Sequence, residues 1–144
     1  MAWQMDAGKV NMKTIKILLA DDNDGFRRAL SLFLEQQEQV EIVGEAKDGV
    51  EAIEQAEKFH PDLVLMDLEM PGCDGFEATR EIKLRSPHTK VVVLSMHGAD
   101  IYRRNAWRHA ADGFVDKAEM KDDLLEIISR EKGRLGGGNL AAVV

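Results

Sequence analysis

The chain of 144 residues has only one cysteine and three prolines, and it has no long apolar run. A single cysteine excludes a disulfide framework and a thiolate metal cluster, so we interpret Cys73 as a small apolar filler. No segment approaches the roughly 20 apolar residues of a membrane-spanning helix, and residues 1–13 lack the apolar core of a signal peptide. We therefore expect a cytoplasmic protein with no membrane partner.

Basic residues are also scarce, because 19 Lys and Arg face 26 Asp and Glu, for a net charge of −7. No basic run offers a footprint for a phosphate backbone, so this chain is not expected to bind nucleic acid directly. Its 44% hydrophobic and 31% charged residues are typical of a globular domain. A chain of this length is expected to build one core.

Five short apolar segments alternate with helical patterns. Three of them are almost continuous apolar runs, which is typical of parallel strands buried on both faces. In chain order the segments are IKILLA, VEIVGEA, DLVLM, KVVVLS and DGFVD. The alternation predicts an α/β fold, a three-layer sandwich in which helices cover both faces of a five-stranded parallel sheet.

Five helices are predicted, over about 24–38, 49–59, 75–85, 99–110 and 119–132. Asp48 and Asp74 are each followed three residues later by Glu, the spacing of an N-cap residue and its partner. The expected core faces are Phe26, Ala29, Leu30 and Phe33 in the first helix, Val50, Ile53 and Ala56 in the second, and Leu124, Ile127 and Ile128 in the fifth.

The two ends of the chain are expected to lie outside the domain. Residues 1–13 are weakly patterned and are predicted to be a loose lead-in. Residues 133–144 begin with a glycine cluster and are predicted to be a linker or tail. The domain itself is therefore expected to span residues 14–132.

Polar residues follow the predicted strands at their carboxyl ends, the edge at which open α/β sheets bind ligands. Asp21 and Asp22 follow the first strand, and Asp67 ends the third. Ser95 ends the fourth strand, and Lys117 follows the fifth. Because the strands are predicted to be parallel, we expect these side chains to converge on one patch.

Three carboxylates in one patch need compensating charge. Two carboxylates about 4 Å apart repel by roughly 4 kcal/mol at an effective dielectric constant near 20. Mg²⁺ prefers oxygen ligands and commonly uses one or two carboxylates, and Lys117 adds a further positive charge. The sequence therefore predicts a Mg²⁺ site that contains Asp21, Asp22 and Asp67.

Asp67 is the expected nucleophile of this site. It ends the central apolar strand, and a tight turn with Pro71, Gly72 and Gly75 follows it. A carboxylate beside a cation and a lysine can attack a phosphoryl group in line, because the positive charges neutralise the transferring oxygens. The predicted product is an aspartyl phosphate.

Four segments resemble the receiver domain of two-component response regulators. LLADDND, LVLMDLEMPGCDG, VVVLS and ADGFVDK correspond in order to the acidic pair, phosphoacceptor loop, hydroxyl residue and lysine of that family. The resemblance covers about 14–132 and implies a flavodoxin-like strand order 2-1-3-4-5 with five helices. LSMHGAD and DGFVDKAEM look most like receivers that precede a helix-turn-helix DNA-binding domain.

The resemblance implies a role for each acidic residue of the site. Asp67 would accept a phosphoryl group from a phosphohistidine on a sensor histidine kinase or phosphotransfer protein. Asp22, Asp67 and the backbone carbonyl of Glu69 would ligate Mg²⁺, while Asp21 would act mainly through metal-bound water. The domain would thus catalyse its own phosphorylation and slow dephosphorylation rather than turn over an external substrate.

The resemblance also implies a two-state switch. Ser95 would reorient to bond a phosphoryl oxygen, Lys117 would pair with another, and Phe114 would turn inward. Glu69 and His97 lie two residues after the phosphoacceptor and the hydroxyl residue, at positions that tune the lifetime of the phosphoryl group in this family. We hypothesise such a tuning role for both.

In this family the readout face consists of the fourth helix, fifth strand and fifth helix, and it is a candidate homodimer contact. Ala118 follows Lys117 where many receivers have proline, so we do not expect a cis turn there. The chain would be a single-domain regulator or a receiver cut from a longer protein, and its glycine-rich end favours the second. The readout face would include Tyr102, Arg103, Trp107 and Asp112.

Other interpretations fit parts of this pattern. A Mg²⁺-dependent phosphatase that forms an aspartyl phosphate would use Glu69 as its acid/base, although the short loops supply no substrate cap. A receiver-like binding module would keep the fold without being phosphorylated. In the alternative without a metal site, Asp21 and Asp22 are a helix-capping cluster and nothing more, and Phe114 is a plain core aromatic.

Overall fold

Five parallel strands form one sheet in the described part of the chain, which comprises residues 14–70, 72, 74–96 and 111–137 of a computed structural model. Every neighbouring pair of strands is parallel, and the order is β2-β1-β3-β4-β5. This confirms the predicted sheet and its flavodoxin-like order. The strands are β1 (Ile15–Ala20), β2 (Val40–Ala46), β3 (Leu63–Asp67), β4 (Lys90–Ser95) and β5 (Gly113–Asp116).

Four α-helices lie within the described residues. They are α1 (Asp24–Glu35), α2 (Gly49–Phe59), α3 (Gly75–Arg85) and α4 (Met120–Lys132). Helices α2 and α3 have the predicted bounds, and α4, the fifth helix expected from the sequence, follows a short 3₁₀ turn at Lys117–Glu119. The fourth predicted helix, about 99–110, lies outside the described residues.

Helix α1 ends at Glu35 instead of the predicted position 38. Gln39 has a φ of 63°, in the left-handed region that a continuing helix cannot use. Its carbonyl then accepts a hydrogen bond of 2.7 Å from the N–H of Ile15. The helix itself ends earlier because the N–H of Gln37 bonds the carbonyl of Leu34 at 3.0 Å, while the side-chain amide of Gln37 bonds the carbonyl of Phe33 at 3.2 Å.

The sheet is buried on both faces, which explains its continuous apolar runs. On β1, Ile17 and Leu19 pack in a core with residues of α1 and α4, while Leu18 packs on the opposite face with residues of α2 and α3. Successive residues of a strand point to opposite faces, so each must be apolar when both faces are covered. The predicted three-layer arrangement is confirmed.

Two predicted core positions are wrong. Ala29 is exposed, and Val50 retains 53% of its surface. The buried apolar positions of these helices include Leu34 in α1 and Ala52 in α2, neither of which was predicted. Small residues at the α2 contact let that helix lie close to the sheet, and Val50 is left on the solvent side.

The predicted caps and the face of the last helix are confirmed. Asp48 accepts a hydrogen bond of 2.8 Å from the N–H of Glu51, and Asp74 accepts one of 2.9 Å from the N–H of Glu77. In α4, Leu124 and Ile128 are buried and Ile127 packs partly buried against them. No helix in the described ranges has the length and hydropathy of a transmembrane span.

Regular structure extends beyond the predicted end of the domain at position 132. Gly133–Gly137 form a single π-helical turn. Arg134 donates a hydrogen bond of 2.9 Å to Glu131, and Leu135 packs against the core of α1 and α4. These contacts stabilise a segment whose glycines predicted a linker. The lead-in 1–13 and the tail 138–144 lie outside the described residues.

Gly75 brings the start of α3 into close contact with the end of β3. Its N–H donates a hydrogen bond of 3.3 Å to the carbonyl of Leu68. A Cβ atom at this position would overlap the carbonyl oxygen of Asp67 and lie 2.9 Å from the Cα of Leu68. Only glycine lets the helix begin here without displacing Asp67.

We predict that Gly75→Ala lowers the free energy of unfolding by about 1–3 kcal/mol, the usual cost of overpacking a tight contact. Chemical denaturation with urea measures this change. Gly133→Ala is the matched control, because its Cβ would meet nothing within 4 Å and its backbone is helical. An unfolding free energy of Gly75→Ala equal to that of the parent would contradict the close contact.

Candidate functional site

Three carboxylates meet at the carboxyl edge of the sheet. Asp21 directly follows β1 and Asp67 ends β3, and both are buried, with 3% and 4% of their surface exposed. Asp22 is exposed beside them. One oxygen of each side chain lies within 4.8 Å of the others. The structure thus brings together the three acids that the sequence assigned to one patch.

Lys117 supplies a positive charge inside this cluster. Its Nζ lies 2.8 Å from Oδ2 of Asp21 and 3.1 Å from Oδ1 of Asp67. The side chain is 10% exposed, so water screens these contacts weakly. The ammonium also lies 4.2 Å from the centre of the Phe26 ring, a cation–π contact that sequence analysis missed.

In the metal-free cluster, the surroundings of Asp67 make it harder to ionise than an ordinary aspartate. Burial and the neighbouring charge of Asp21 raise the pKa of Asp67 to about 6, against the opposing effects of Lys117 and of the Glu69 N–H. Burial disfavours the Lys117 ammonium, but its hydrogen bonds and its attraction to Asp21 and Asp67 raise the pKa of Lys117. The lysine therefore stays charged and compensates the acids only in part.

The loop between β1 and α1 shapes the acidic pair. Oδ1 of Asp21 accepts a hydrogen bond of 2.8 Å from the N–H of Asn23. Asn23 is itself the N-cap of α1, because its side chain accepts a bond of 2.9 Å from the N–H of Phe26. The alternative in which Asp21 and Asp22 form a helix-capping cluster is therefore wrong.

Arg27 is a second residue that sequence analysis missed. Its side chain is 10% exposed, and its Nη2 lies 2.6 Å from Asp24, which is thereby drawn away from the acidic cluster. It also bonds Glu45 at 2.8 Å and the backbone carbonyl of Asp21 at 2.7 Å. The available signal was the three-residue spacing between Asp24 and Arg27 on a helix.

Strand register places Ser95 at the same edge. The Cα of Asp67 pairs with that of Leu94, so Ser95 lies one residue further toward the site. Ser95 pairs in turn with Asp116, the residue before Lys117, and is 1% exposed. The hydroxyl residue is thus buried between the strands that carry Asp67 and Lys117.

The other predicted residues have different surroundings. Phe114 is partly buried and packs against a small cluster of Leu68, Val93 and Ala111. Glu69 is exposed, and its backbone N–H bonds the Asp67 carboxyl group. The Lys117–Ala118 peptide bond is trans, like every other peptide bond in the described ranges.

Of the four residues predicted for the readout face, only Asp112 lies within the described residues. It precedes β5 at the opposite edge of the sheet. Its carboxylate lies 2.9 Å from Nζ of Lys83 and accepts a bond of 2.8 Å from the N–H of Val91. These contacts give it a structural role. His97, Tyr102, Arg103 and Trp107 lie outside the described residues.

The donor set of the cluster fits a hard divalent cation. All three groups offer carboxylate oxygens, which Mg²⁺ prefers, and the exposed Asp22 leaves one side open to the waters that Mg²⁺ usually retains. Within the described residues, no histidine or cysteine belongs to this cluster, so its chemistry does not favour a softer metal.

Comparison with known proteins decides what kind of domain carries this arrangement. Residues 17–129 match the response regulator receiver domain. The chain belongs to that family. Receiver domains bind Mg²⁺ at an acidic cluster of aspartates, and the cluster formed by Asp21, Asp22 and Asp67 is such a group.

Three similar proteins illustrate the relationship. The chain is 37% identical over 120 residues to the transcriptional regulatory protein DegU of Brevibacillus brevis, and the matched region covers 83% of this chain and 51% of DegU. It is 38% identical over 116 residues to the response regulator protein VraR of Staphylococcus saprophyticus, covering 81% of this chain and 56% of VraR. The response regulator domain of Thermotoga maritima CheB superposes with a TM-score of 0.77 at 31% identity, covering 84% of this chain and 98% of that domain.

These relatives confirm the resemblance inferred from the sequence, including its likeness to receivers of transcriptional regulators. The receiver spans about half the length of the curated relatives DegU and VraR. The activities of the whole DegU and VraR proteins are therefore not assigned to this receiver.

We predict that Asp67→Asn stabilises the metal-free receiver more at pH 7.5 than at pH 4.5. A folded pKa of about 6 lies above the ordinary 3.8, so the folded state favours the protonated acid. The contribution of Asp67 to stability therefore falls as the pH rises from about 4 to about 6 and is level above that range. The gain on substitution should grow by about 2 kcal/mol between the two pH values.

Urea denaturation in the presence of a chelator measures both unfolding free energies. Asp112→Asn, which removes a carboxylate at the opposite edge, controls for the loss of one negative charge. A gain from Asp67→Asn that is the same at both pH values would contradict the raised pKa.

Proposed function

We propose that Asp67 accepts a phosphoryl group from a phosphohistidine on a sensor histidine kinase or phosphotransfer protein. The observation that carries this proposal is the contact of Lys117 with Asp67 and Asp21 at the carboxyl edge of the sheet. Asp22, Asp67 and the backbone carbonyl of Glu69 would hold Mg²⁺, and Asp21 would act mainly through its coordinated water. The proposal places the receiver in the cytoplasm, where this family generally works.

The transfer forms one bond and breaks one bond. An oxygen of the Asp67 carboxylate bonds to phosphorus while the bond from phosphorus to the donor nitrogen breaks, and the electron pair leaves with that nitrogen. Lys117 lies 3.1 Å from Asp67 and is placed to offset charge on a phosphoryl oxygen. Mg²⁺, when bound, supplies further neutralisation of the transferring oxygens. Above pH 6 the Asp67 carboxylate is mostly ionised and ready to attack.

The aspartyl phosphate would then shift the receiver between two states. A phosphoryl group adds about 1.5–2 negative charges and three acceptor oxygens. It shifts the equilibrium only as far as it binds one state more tightly. We propose that Ser95 moves to bond one of these oxygens and that Phe114 turns inward in response. The burial of Ser95 at the end of β4 supports its proposed role.

The output would arise on the face formed by the fourth predicted helix, β5 and α4. We propose that this face, with Tyr102, Arg103 and Trp107, contacts a partner domain or a second receiver. We further propose that Glu69 and His97 tune the lifetime of the phosphoryl group. The similarity to the transcriptional regulatory protein DegU supports a receiver that works within a transcriptional regulator.

The direct test is incubation with acetyl phosphate and Mg²⁺ followed by intact mass measurement. We expect the parent to gain the mass of one phosphoryl group, and Asp67→Asn or a chelator to abolish the gain. Asp112→Asn should label like the parent, because it retains the site. An unmodified parent, under conditions that label another receiver, would favour the inert binding module instead.

Turnover of a phosphomonoester distinguishes the phosphatase alternative. With Mg²⁺ and p-nitrophenyl phosphate, we expect the receiver to release less than one equivalent of p-nitrophenol per chain. Release of many equivalents that Asp67→Asn abolishes would favour a phosphatase.

A further inference from the structure

We infer that Arg27 is a positioning residue for the Mg²⁺ site, because it fixes the loop that carries Asp21 and Asp22. This inference rests on the proposed function of the acidic cluster. The ion pairs of Arg27 within the described residues are with Asp24 and Glu45, and its third bond is to the backbone carbonyl of Asp21. Arg27 would act through the backbone to which the metal ligands are attached.

Three donors of the Arg27 guanidinium have three different partners. Nη1 bonds the backbone carbonyl of Asp21 at 2.7 Å, Nη2 bonds Asp24 at 2.6 Å, and Nε bonds Glu45 at 2.8 Å. Arg27 is only 8% exposed, but the Asp24 and Glu45 side chains are 71% and 41% exposed, so the buried bond to the Asp21 carbonyl is the one best shielded from water. A planar fork of donors suits three fixed acceptors, whereas the single ammonium of a lysine does not.

The position of the Asp22 carboxylate depends on Arg27 more than the position of the Asp21 carboxylate does. The Asp21 side chain is held by Lys117 and by the N–H of Asn23. No hydrogen bond or ion pair within the described ranges holds the exposed Asp22 carboxylate. Its place is therefore set by the backbone between Asp21 and Asp24, both of which bond Arg27.

Glu45 connects the loop to the sheet. It lies on β2 and pairs in register with Leu19 of β1. The N–H of Asp21 bonds the carbonyl of Ala46, the next residue on β2, at 2.9 Å. Arg27 thus connects the loop to β2, the strand whose Ala46 carbonyl also bonds the backbone of Asp21.

The charge of Arg27 and its hold on the loop predict opposite changes in Mg²⁺ affinity when Arg27 is replaced. Arg27→Gln deletes a positive charge beside the loop that carries Asp21 and Asp22, and the relief of Coulomb repulsion on Mg²⁺ alone should tighten Mg²⁺ binding. Loss of the fixed loop should weaken it instead, because residues that hold metal ligands typically change affinity about 10–100-fold when mutated. Arg27→Lys keeps the charge and removes the fork, so it isolates the positioning effect.

We expect both Arg27 variants to bind Mg²⁺ about tenfold more weakly than the parent, as measured by calorimetric titration with Mg²⁺ alone. Phosphorylation by acetyl phosphate should require correspondingly more Mg²⁺ but reach a similar rate at saturation. Amide hydrogen exchange of residues 21–24 should be faster in the metal-free variants than in the parent.

Lys83→Gln is the matched control. Lys83 is a partly buried cation with three oxygen partners, the carbonyls of Pro87 and Thr89 and the carboxylate of Asp112, at the opposite edge of the sheet. Its loss should lower stability without changing the affinity for Mg²⁺. If the Arg27 variants do not fold, Glu45→Gln and Asp24→Asn weaken the same contacts individually, and amide hydrogen exchange of residues 21–24 in these metal-free variants should then be faster than in the parent.

The outcomes separate this inference from the proposed function. A parent that binds no Mg²⁺ would overturn the proposed site itself. A parent that binds Mg²⁺, with Arg27→Lys and Arg27→Gln variants whose affinity is unchanged or tighter, would overturn the positioning role alone. Equal weakening in Lys83→Gln would show a general effect of lost stability and would also overturn it.

Discussion

The mutual repulsion of Asp21, Asp22 and Asp67 is the constraint on which the rest of the structure depends. Two carboxylates about 4 Å apart repel by roughly 4 kcal/mol at an effective dielectric constant near 20, and here two of the three are buried. Lys117 offsets part of this cost by lying within 3.1 Å of both buried acids. The remaining excess of negative charge is what suits the cluster to a divalent cation.

The sheet holds these like charges in place. Parallel register brings the ends of β1, β3 and β4 to a single edge, and the buried cores on both faces prevent the strands from sliding apart. Gly75 permits α3 to begin against the end of β3, while Arg27 ties the loop after β1 to β2. Hydrophobic burial thus stabilises an arrangement that electrostatics alone would disperse.

Much of this architecture could be predicted from the sequence because it depends on local patterns. Continuous apolar runs identified the strands, and capping aspartates fixed the starts of α2 and α3. The order of charged residues along predicted strands was enough to bring Asp67 and Lys117 together. Contacts that depend on how elements pack were missed: Arg27 reaches Glu45 across 18 positions, the ring of Phe26 covers Lys117, and Val50 lies on the solvent side of α2. The spacing of residues within one helix does not show which residues of neighbouring strands and helices they contact.

Paramagnetic broadening by Mn²⁺, which accepts the same oxygen ligands as Mg²⁺, tests the central claim most directly. In two-dimensional amide spectra of the receiver, substoichiometric Mn²⁺ should first erase the signals of Asp22, Leu68 and Ala118, and competing Mg²⁺ should restore them. Signals at the opposite edge, such as that of Thr89, should persist. Broadening that instead begins on the exposed acidic face of α4, at Asp122 and Glu126, would contradict a cation site at the carboxyl edge of the sheet.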